Sequence, residues 1–527
     1  MNNQEKKILI IGAGVSGLSA GIYALKMGYK VELYEKNATA GGECTGWDRQ
    51  GYHIDNCIHW LIGTTVGTDL YDLYKTVNVI NPKVGIYRAD IMYTSTLNGQ
   101  TIALYSDMER TRREWIMLSP EDEEQINLLF KSIKLGEKVN IPAGVPGEQL
   151  GAVAGTRLLI QSIPAFRLFN RYKNQDTQDL MNKFKHPLIR ACISDFCTKE
   201  TKAYSFPICY GNFVSGDGGV PKGGSRAIAY RMLDRFKELG GIYQGSSPVK
   251  KIIVENEKTT GLLLQDDKFV PADYVIAACD ADFTFSHLLD PSYMNPLFKD
   301  FFSKSDIYPI YEMFQCAFAV ESPEDLIRTE TNLDVFSIKP EPWFNNRIAV
   351  KSYAYEPSFA PQGKQILQVM WGMDQSSWEY WKELYTNKEA YKAKKQELAS
   401  LLQKKLEETW PGYKGKLTLL DSWTPCTYHR YCNAHNGYNQ ACVITKRSAK
   451  RPYPSAFVKG IGNLVLAGQW VSPPGGIPGS CITGKHAAYR VDYLNHKGTR
   501  ICKKIFFQNV LPTLLAVFLI LFLKFRA

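Results

Sequence analysis

The sequence predicts an α/β protein: a parallel-sheet domain assembled from separated segments, an α+β domain interleaved with it, and a C-terminal membrane helix. Three observations predict it. Residues 7–36 read as strand, glycine turn, helix, strand and acid in unbroken succession. Two later stretches, 215–290 and 456–497, again set short apolar strands against glycine-rich turns and helices. Residues 505–523 are overwhelmingly apolar and lie between Lys503-Lys504 and Lys524.

The opening run Ile8-Leu9-Ile10-Ile11 is too short for a helix and is bounded by glycine, so it reads as a buried strand. Gly12-x-Gly14-x-x-Gly17 follows, then a helical pattern to Met27, a stop at Gly28 and a second strand that closes on Glu35. That succession is the context a dinucleotide fingerprint requires, and it defines a Rossmann-type unit. Gly12 makes the tight turn, Gly14 lets the backbone approach a pyrophosphate, and Gly17 lets the helix pack on the strand. The helix N-terminus offers its free N–H groups and partial positive charge to the phosphates. Glu35 accepts hydrogen bonds from a ribose hydroxyl. Ala13, Val15 and Ser16 within the turn, with Lys36 after the acid, complete the expected contact set.

A chain of 527 residues exceeds one core, so two or three domains are expected. The net charge of +11 is spread out, without a Lys/Arg run of nucleic-acid type, and fits attraction to a membrane or an anionic cofactor. Twelve cysteines without a CxxC pair read as small packed residues in a reducing compartment. The eight histidines show no metal-ligand spacing, so no metal is expected. The first strand begins within ten residues of Met1, which argues against a signal peptide and for a cytosolic body.

After Glu35 come Gly41-Gly42-Glu43-Cys44 and then Gly51-Tyr52-His53-Ile54-Asp55-Asn56-Cys57-Ile58-His59-Trp60. Fingerprint, acid, glycine pair and a hydrophobic-Asp-x-x-x-His segment together resemble the FAD-binding start of the flavin amine oxidase and phytoene desaturase superfamily. Ile58-His59-Trp60 is more similar to the retinol saturase and carotenoid isomerase branch than to the monoamine oxidases. Many members carry Arg after the glycine pair, where this chain has Glu43. The resemblance makes Gly41 and Gly42 further FAD contacts. It makes His59 and Glu43 catalytic candidates and Trp60 a substrate contact. His59 reads equally as a packed histidine.

Between 76 and 214 no dinucleotide signal appears. Ser119-Pro120-Glu121-Asp122 reads as a helix start rather than a metal site. Residues 158–172 mix large apolar side chains with Arg167 and Arg171, and read either as a substrate-domain helix or as a surface helix dipping into lipid. Phe196, Tyr204, Phe206 and Tyr210 read either as the lining of an apolar cavity or as core, with core preferred. From Val220, a Gly-Gly-Ser helix start, a helix to Leu239, a hairpin-like pair and a strand ending at Cys279 resemble the superfamily's central FAD segment. That resemblance places the backbone of Val249 at the adenine end and Cys279 near the pyrophosphate or ribose. Residues 291–455 are aromatic-rich and contain a lysine-studded helix over 387–408 that reads as solvated. The Thr424-Pro425 segment resembles the family's flavin-proximal one, which makes Tyr428 and Tyr431 substrate candidates. Residues 463–489 resemble the third FAD piece, with Gly468, Gln469, Gly475, Gly476 and Ile477 in its loop and a helix from about Gly479.

The implied organisation is an FAD-binding domain from 1–75, 215–290 and 456–497, a substrate domain from 76–214 and 291–455, and a basic linker with membrane anchor at 498–527. No second GxGxxG appears, which disfavours a separate NAD domain. The resemblance implies an FAD-dependent oxidoreductase, desaturase-like or saturase-like, acting on carbon–carbon bonds of an apolar polyene or isoprenoid drawn from the membrane. The anchor sets the catalytic body on the cytoplasmic side of the bilayer. The alternatives are a redox-neutral carotenoid cis–trans isomerase, a flavin amine oxidase, and a non-catalytic prenyl-binding carrier. No nucleic-acid partner is expected, and the electron acceptor or donor is left open.

Overall fold

The computed structural model describes residues 3–321, 330–448 and 453–496. The expected membrane helix at 505–523 lies outside them. No helix among the described residues is long and apolar enough to cross a membrane.

One sheet is wholly parallel and five-stranded, in the spatial order Ile242–Gln244, Lys30–Tyr34, Lys7–Ile11, Tyr274–Ala277, Leu464–Leu466. Its strands come from three stretches of the chain far apart in sequence. The run Ile8–Ile11 sits at the centre, at most 5% exposed, because both of its faces are covered. Helix Val15–Lys26 covers one face and packs against helices Gly224–Glu238 and Gly476–His496. A three-stranded antiparallel sheet, led by Val249–Glu255 and Lys258–Leu264, sits beside it.

The second large sheet has seven strands, in the order Leu417–Trp423, Tyr311–Glu321, Lys364–Asp374, Phe344–Ser352, Thr331–Asp334, Ile91–Leu97, Gln100–Tyr105. It joins residues 91–105 to residues 311–423, and only the pairing of Thr331–Asp334 with Ile91–Leu97 is parallel. Side chains alternate across it with a period of two. Phe314, Cys316, Phe318, Val350, Val369 and Trp371 point to one face and bury against helices Ser377–Thr386 and Lys388–Thr409. Met313, Gln315, Ala349, Lys351 and Met370 point to the other face and line a cavity.

A helical layer, residues 108–214, closes the far side of that cavity around Trp115, Phe130, Phe184, Phe206 and Tyr210. Its expected capping at Ser119 takes a different form. A 3₁₀ turn, Pro120–Asp122, comes first, and the Ser119 hydroxyl donates to the Asp122 carboxylate at 2.8 Å instead of accepting from the helix. Asp122 also accepts from the Lys185 and His186 backbone N–H groups, so the acid ties two loops together.

Candidate functional site

A single cavity of about 1670 Å³ runs from the glycine turn into the space between the seven-stranded sheet and the helical layer. Sites for one small ligand measure roughly 300–1,000 Å³, so this one has room for more than one molecule.

Backbone builds the first end. Gly12 turns at φ +97°, where a Cβ would stand 3.0 Å from the Ala278 carbonyl oxygen. At Gly17 a Cβ would lie 1.9 Å from the Gly12 carbonyl oxygen, so the helix sits on the turn as closely as backbone allows. Gly14 is different: a Cβ there meets no atom within 4 Å and projects into the cavity. Gly14 is also the N-cap of helix Val15–Lys26 and has no side-chain cap, so the first-turn N–H groups are left for a ligand. Gly41 and Gly42 close the cradle. The Gly41 N–H donates to the Ala13 carbonyl at 2.9 Å, and a Cβ on Gly42 would come within 3.3 Å of the Gly14 Cα. These features fit the pyrophosphate of a dinucleotide.

Glu35 is buried beside the cradle and takes on a second task. Its Oε2 accepts from the Ala13 N–H at 2.9 Å, and its Oε1 accepts from the Asn37 backbone and side-chain N–H groups at 2.9 and 2.7 Å. Lys36 donates to the Arg430 carbonyl at 2.8 Å. Val15, Ser16, Val249, Cys279, Gly468, Gln469, Gly476 and Ile477 line the same end, whereas Ala13 and Gly17 stand behind its wall. The Cys279 thiol contacts the Thr284 hydroxyl at 3.2 Å and is pushed up to about 12 by burial, as a packed thiol is. The terminal helix begins at Gly476, three residues earlier than the sequence suggests, after a loop in which Gly475 adopts φ +93°.

Side chains build the second end, and most of them come from distant segments. His59 Nδ1 lies 2.7 Å from Glu330 Oε2. Burial acts to raise the Glu330 carboxyl, but the His59 imidazole and Lys351 outweigh it and hold the group below its ordinary value. Lys351 is buried, donates to the Ile58 carbonyl and is lowered by desolvation. The His59 Nε2 has no partner among the described residues. Glu43 lines the cavity nearer the cradle. Burial first, then the Cys57 thiol, push its carboxyl well above the usual range, and the Gln469 amide, at 3.4 Å, offsets this only in part. Glu43 therefore favours its protonated form.

Trp60 packs on Phe196 with ring centroids 5.3 Å apart. Phe196 and Tyr204 line the cavity, whereas Phe206 and Tyr210 are buried in the helical core. The Tyr428 hydroxyl is already engaged: it donates to Asn56 Oδ1 at 3.0 Å and receives Gln315 Nε2 at 2.7 Å and Trp423 Nε1 at 3.3 Å. Tyr431 stands on the rim, half exposed, with its carbonyl accepting from Asn37, and so belongs to the cradle end.

Sequence reading missed Glu330, Lys351, Asp195 and Arg347. Arg347 grips Asp195 with Nε and Nη2, the latter at 2.8 Å, and Ser95 donates to the same carboxylate at 2.6 Å. This clamp fastens helix Pro187–Phe196 to the sheet along the cavity wall. The available signal was the pair of cations, Arg347 and Lys351, flanking an apolar strand stretch.

Comparison with known proteins adds what geometry alone does not. The model of an NAD(P)-binding Rossmann-like domain matches residues 10–77. The model of the flavin containing amine oxidoreductase family matches residues 158–492, well over half of the chain. The chain belongs to the flavin containing amine oxidoreductase family. This flavin containing amine oxidoreductase is thus an FAD-dependent oxidoreductase. It is 23% identical over 511 residues to a 4,4'-diaponeurosporene oxygenase of Staphylococcus aureus, covering 92% of this chain and 98% of the relative. The corresponding oxygenase of Staphylococcus haemolyticus is 24% identical over 525 residues, covering 94% and 99%. Among solved structures, an oxidoreductase from Methanosarcina mazei aligns with TM-score 0.57 and 19% identity, covering 91% of this chain and 98% of that one. Putrescine oxidase bound to putrescine aligns with TM-score 0.56 and 13% identity, covering 92% and 99%. These structural likenesses establish the fold.

Proposed function

We propose that the protein oxidises or reduces a carbon–carbon unit of an apolar polyene or isoprenoid, of the kind named for its 4,4'-diaponeurosporene oxygenase relatives. The observation that carries this reading is the continuity of the glycine cradle with an aromatic-walled compartment in one cavity. The corresponding location is the membrane, reached through residues 505–523, with the catalytic body on the cytoplasmic side.

FAD, when bound, supplies a two-electron hydride acceptor or donor. The first-turn N–H groups after Gly14 would hold its phosphates, and Glu35 would offer its remaining lone pairs to a ribose. The walls formed by Trp60, Phe196, Tyr204 and Met370 align an extended apolar chain and exclude water, which fixes the reacting carbons. Removal of a proton from the carbon next to the hydride centre falls to the chain's own residues. The Glu330 carboxylate can only accept, so it fixes the proton of His59 on Nδ1 and leaves Nε2 basic. Once Nε2 takes the proton, Glu330 stabilises the imidazolium. In the reverse direction, the protonated imidazole returns it.

The test is an anaerobic absorbance spectrum of the detergent-purified protein, followed by addition of 4,4'-diaponeurosporene and, separately, of putrescine. Flavin bands that bleach with the polyene, together with a more oxidised polyene product, are the expected result. Reoxidation of pre-reduced flavin by the polyene assigns the reductive direction. Bleaching by the amine alone overturns the reading.

A further inference from the structure

We propose that helices Ala152–Gln161 and Ile163–Arg171 form a docking face for an anionic lipid bilayer, and that this face opens the cavity directly to lipid. The proposal rests on the polyene reading for what enters, but its evidence is separate. Helix Ala152–Gln161 contains no buried residue, and helix Ile163–Arg171 buries only Leu168. Val153 is 86% exposed, Ile160 61% and Phe166 50%. Large apolar side chains clustered this way on a water-facing surface mark an interaction site.

Phe166 and Phe169 are outward-facing and also line the cavity, together with Ala165 from the same helix and Ser162 just before it. Phe169 packs against Tyr204 at 4.6 Å, and Tyr204 continues the lining inward. The patch is therefore the mouth. A protein partner seated on it would close the path, whereas acyl chains are continuous with it. That argument selects lipid over a protein.

Charge points the same way. Residues 151–175 contain Arg157, Arg167, Arg171 and Lys173 and no carboxylate. All four are exposed, and Arg157 and Arg167 meet no carboxylate among the described residues. Apolar side chains interleaved with arginine on short helices describe an interfacial element that lies in the headgroup plane. The adjoining loop adds a further link. Gln149 donates to the Tyr489 carbonyl at 3.1 Å, and Arg490 pairs with Glu148 at 2.6 Å, which fastens the approach to these helices onto the terminal helix. That helix ends at His496, about 9 Å further along at 1.5 Å per residue. In sequence the apolar run 505–523 follows.

Hydrogen–deuterium exchange on the full flavin-loaded chain tests this, with and without vesicles of phosphatidylcholine containing a minority of phosphatidylglycerol. Amides of 152–171 should slow by roughly tenfold on vesicles while those of 388–409 do not change. The double variant Ile160→Glu/Phe166→Ser should lose that slowing and keep its flavin. Unchanged exchange over 152–171 in protein that co-sediments with the vesicles overturns the proposal. Slowing that needs no vesicles and grows with protein concentration overturns it in favour of a second copy. Slowing on vesicles in protein whose oxidised flavin is not bleached, and whose pre-reduced flavin is not reoxidised, by the polyene upholds the docking face and refutes the substrate reading instead.

Discussion

The two ends of the cavity are made of different material. At the cradle the working groups are backbone: uncapped N–H donors after Gly14, two glycine turns in contact, and one carboxylate, Glu35, committed to holding them. At the aromatic end they are side chains, and His59 meets there with Glu330, 271 residues away in sequence, and with Lys351. A backbone site tolerates no added atoms and recognises a shape every dinucleotide shares. A side-chain site can be rebuilt residue by residue, and that is where specificity for one substrate resides.

The largest expected effect lies at the cradle, where two neighbouring glycines should behave differently. Gly17→Val puts a Cβ where Gly12 oxygen already stands, at 1.9 Å, and neither atom can yield without moving backbone. No flavin-loaded protein should be recovered from that variant. Gly14→Ala meets no protein atom within 4 Å, so the apoprotein should lose no more than about 1 kcal/mol, the scale of an N-cap change. Its flavin content should nonetheless fall at least tenfold, because the methyl occupies the phosphate's place. Flavin per mole of protein and urea unfolding of the apoprotein measure the two quantities. Full flavin retention in Gly14→Ala would move the pyrophosphate elsewhere.

The same contrast explains what the sequence could show. Gly12, Gly14, Gly17 and Glu35 lie within one strand–helix–strand unit, so their spacing is set by local geometry and is visible in the chain. The parallel sheet was legible for this reason, and the α/β class follows from it. The polar cluster was not. Glu330 stands just before a short strand whose neighbour is Ile91–Leu97, a long-range parallel pairing that no local pattern encodes. His59 was visible only through the segment that carries it, and its partner was not visible at all. Tyr428 was named from its segment alone, and its surroundings were equally hidden: it lines the cavity, and its hydroxyl is engaged by Asn56, Gln315 and Trp423.

At the aromatic end the expected losses are smaller and graded. His59→Ala should lower turnover by about 10²–10⁴, the usual worth of a positioned acid–base group, with flavin fully bound. Glu330→Gln removes the charge that favours the imidazolium but keeps the side chain's shape. It should cost less in turnover than His59→Ala, since the imidazole keeps its place but loses the carboxylate that orients Nδ1. A histidine that merely packs would leave the rate unchanged in both variants. Steady-state kinetics on the two variants separates these cases.

In the same sheet, one residue shows how much the scaffold of the substrate end tolerates. Glu312 is wholly buried on strand Tyr311–Glu321 and borders the cavity. Ser377 donates to its Oε2, while Oε1 has no partner among the described residues. Burial foremost, and Asp374 after it, raise the carboxyl from 4.5 to about 8. In the unfolded chain the group ionises near its ordinary value, whereas the folded chain keeps the proton until about pH 8. Between those limits the folded state binds more protons, so stability falls as pH rises. Glu312→Gln is neutral throughout and escapes that loss. Relative to the parent, the variant should gain on the order of 4 kcal/mol between pH 4.5 and pH 8, given about 1.4 kcal/mol per pKa unit. Urea unfolding at the two pH values measures the difference. An equal destabilisation at both would mean that the carboxyl is held by a contact stronger than the Ser377 hydroxyl, and that the scaffold end is as exacting as the cradle.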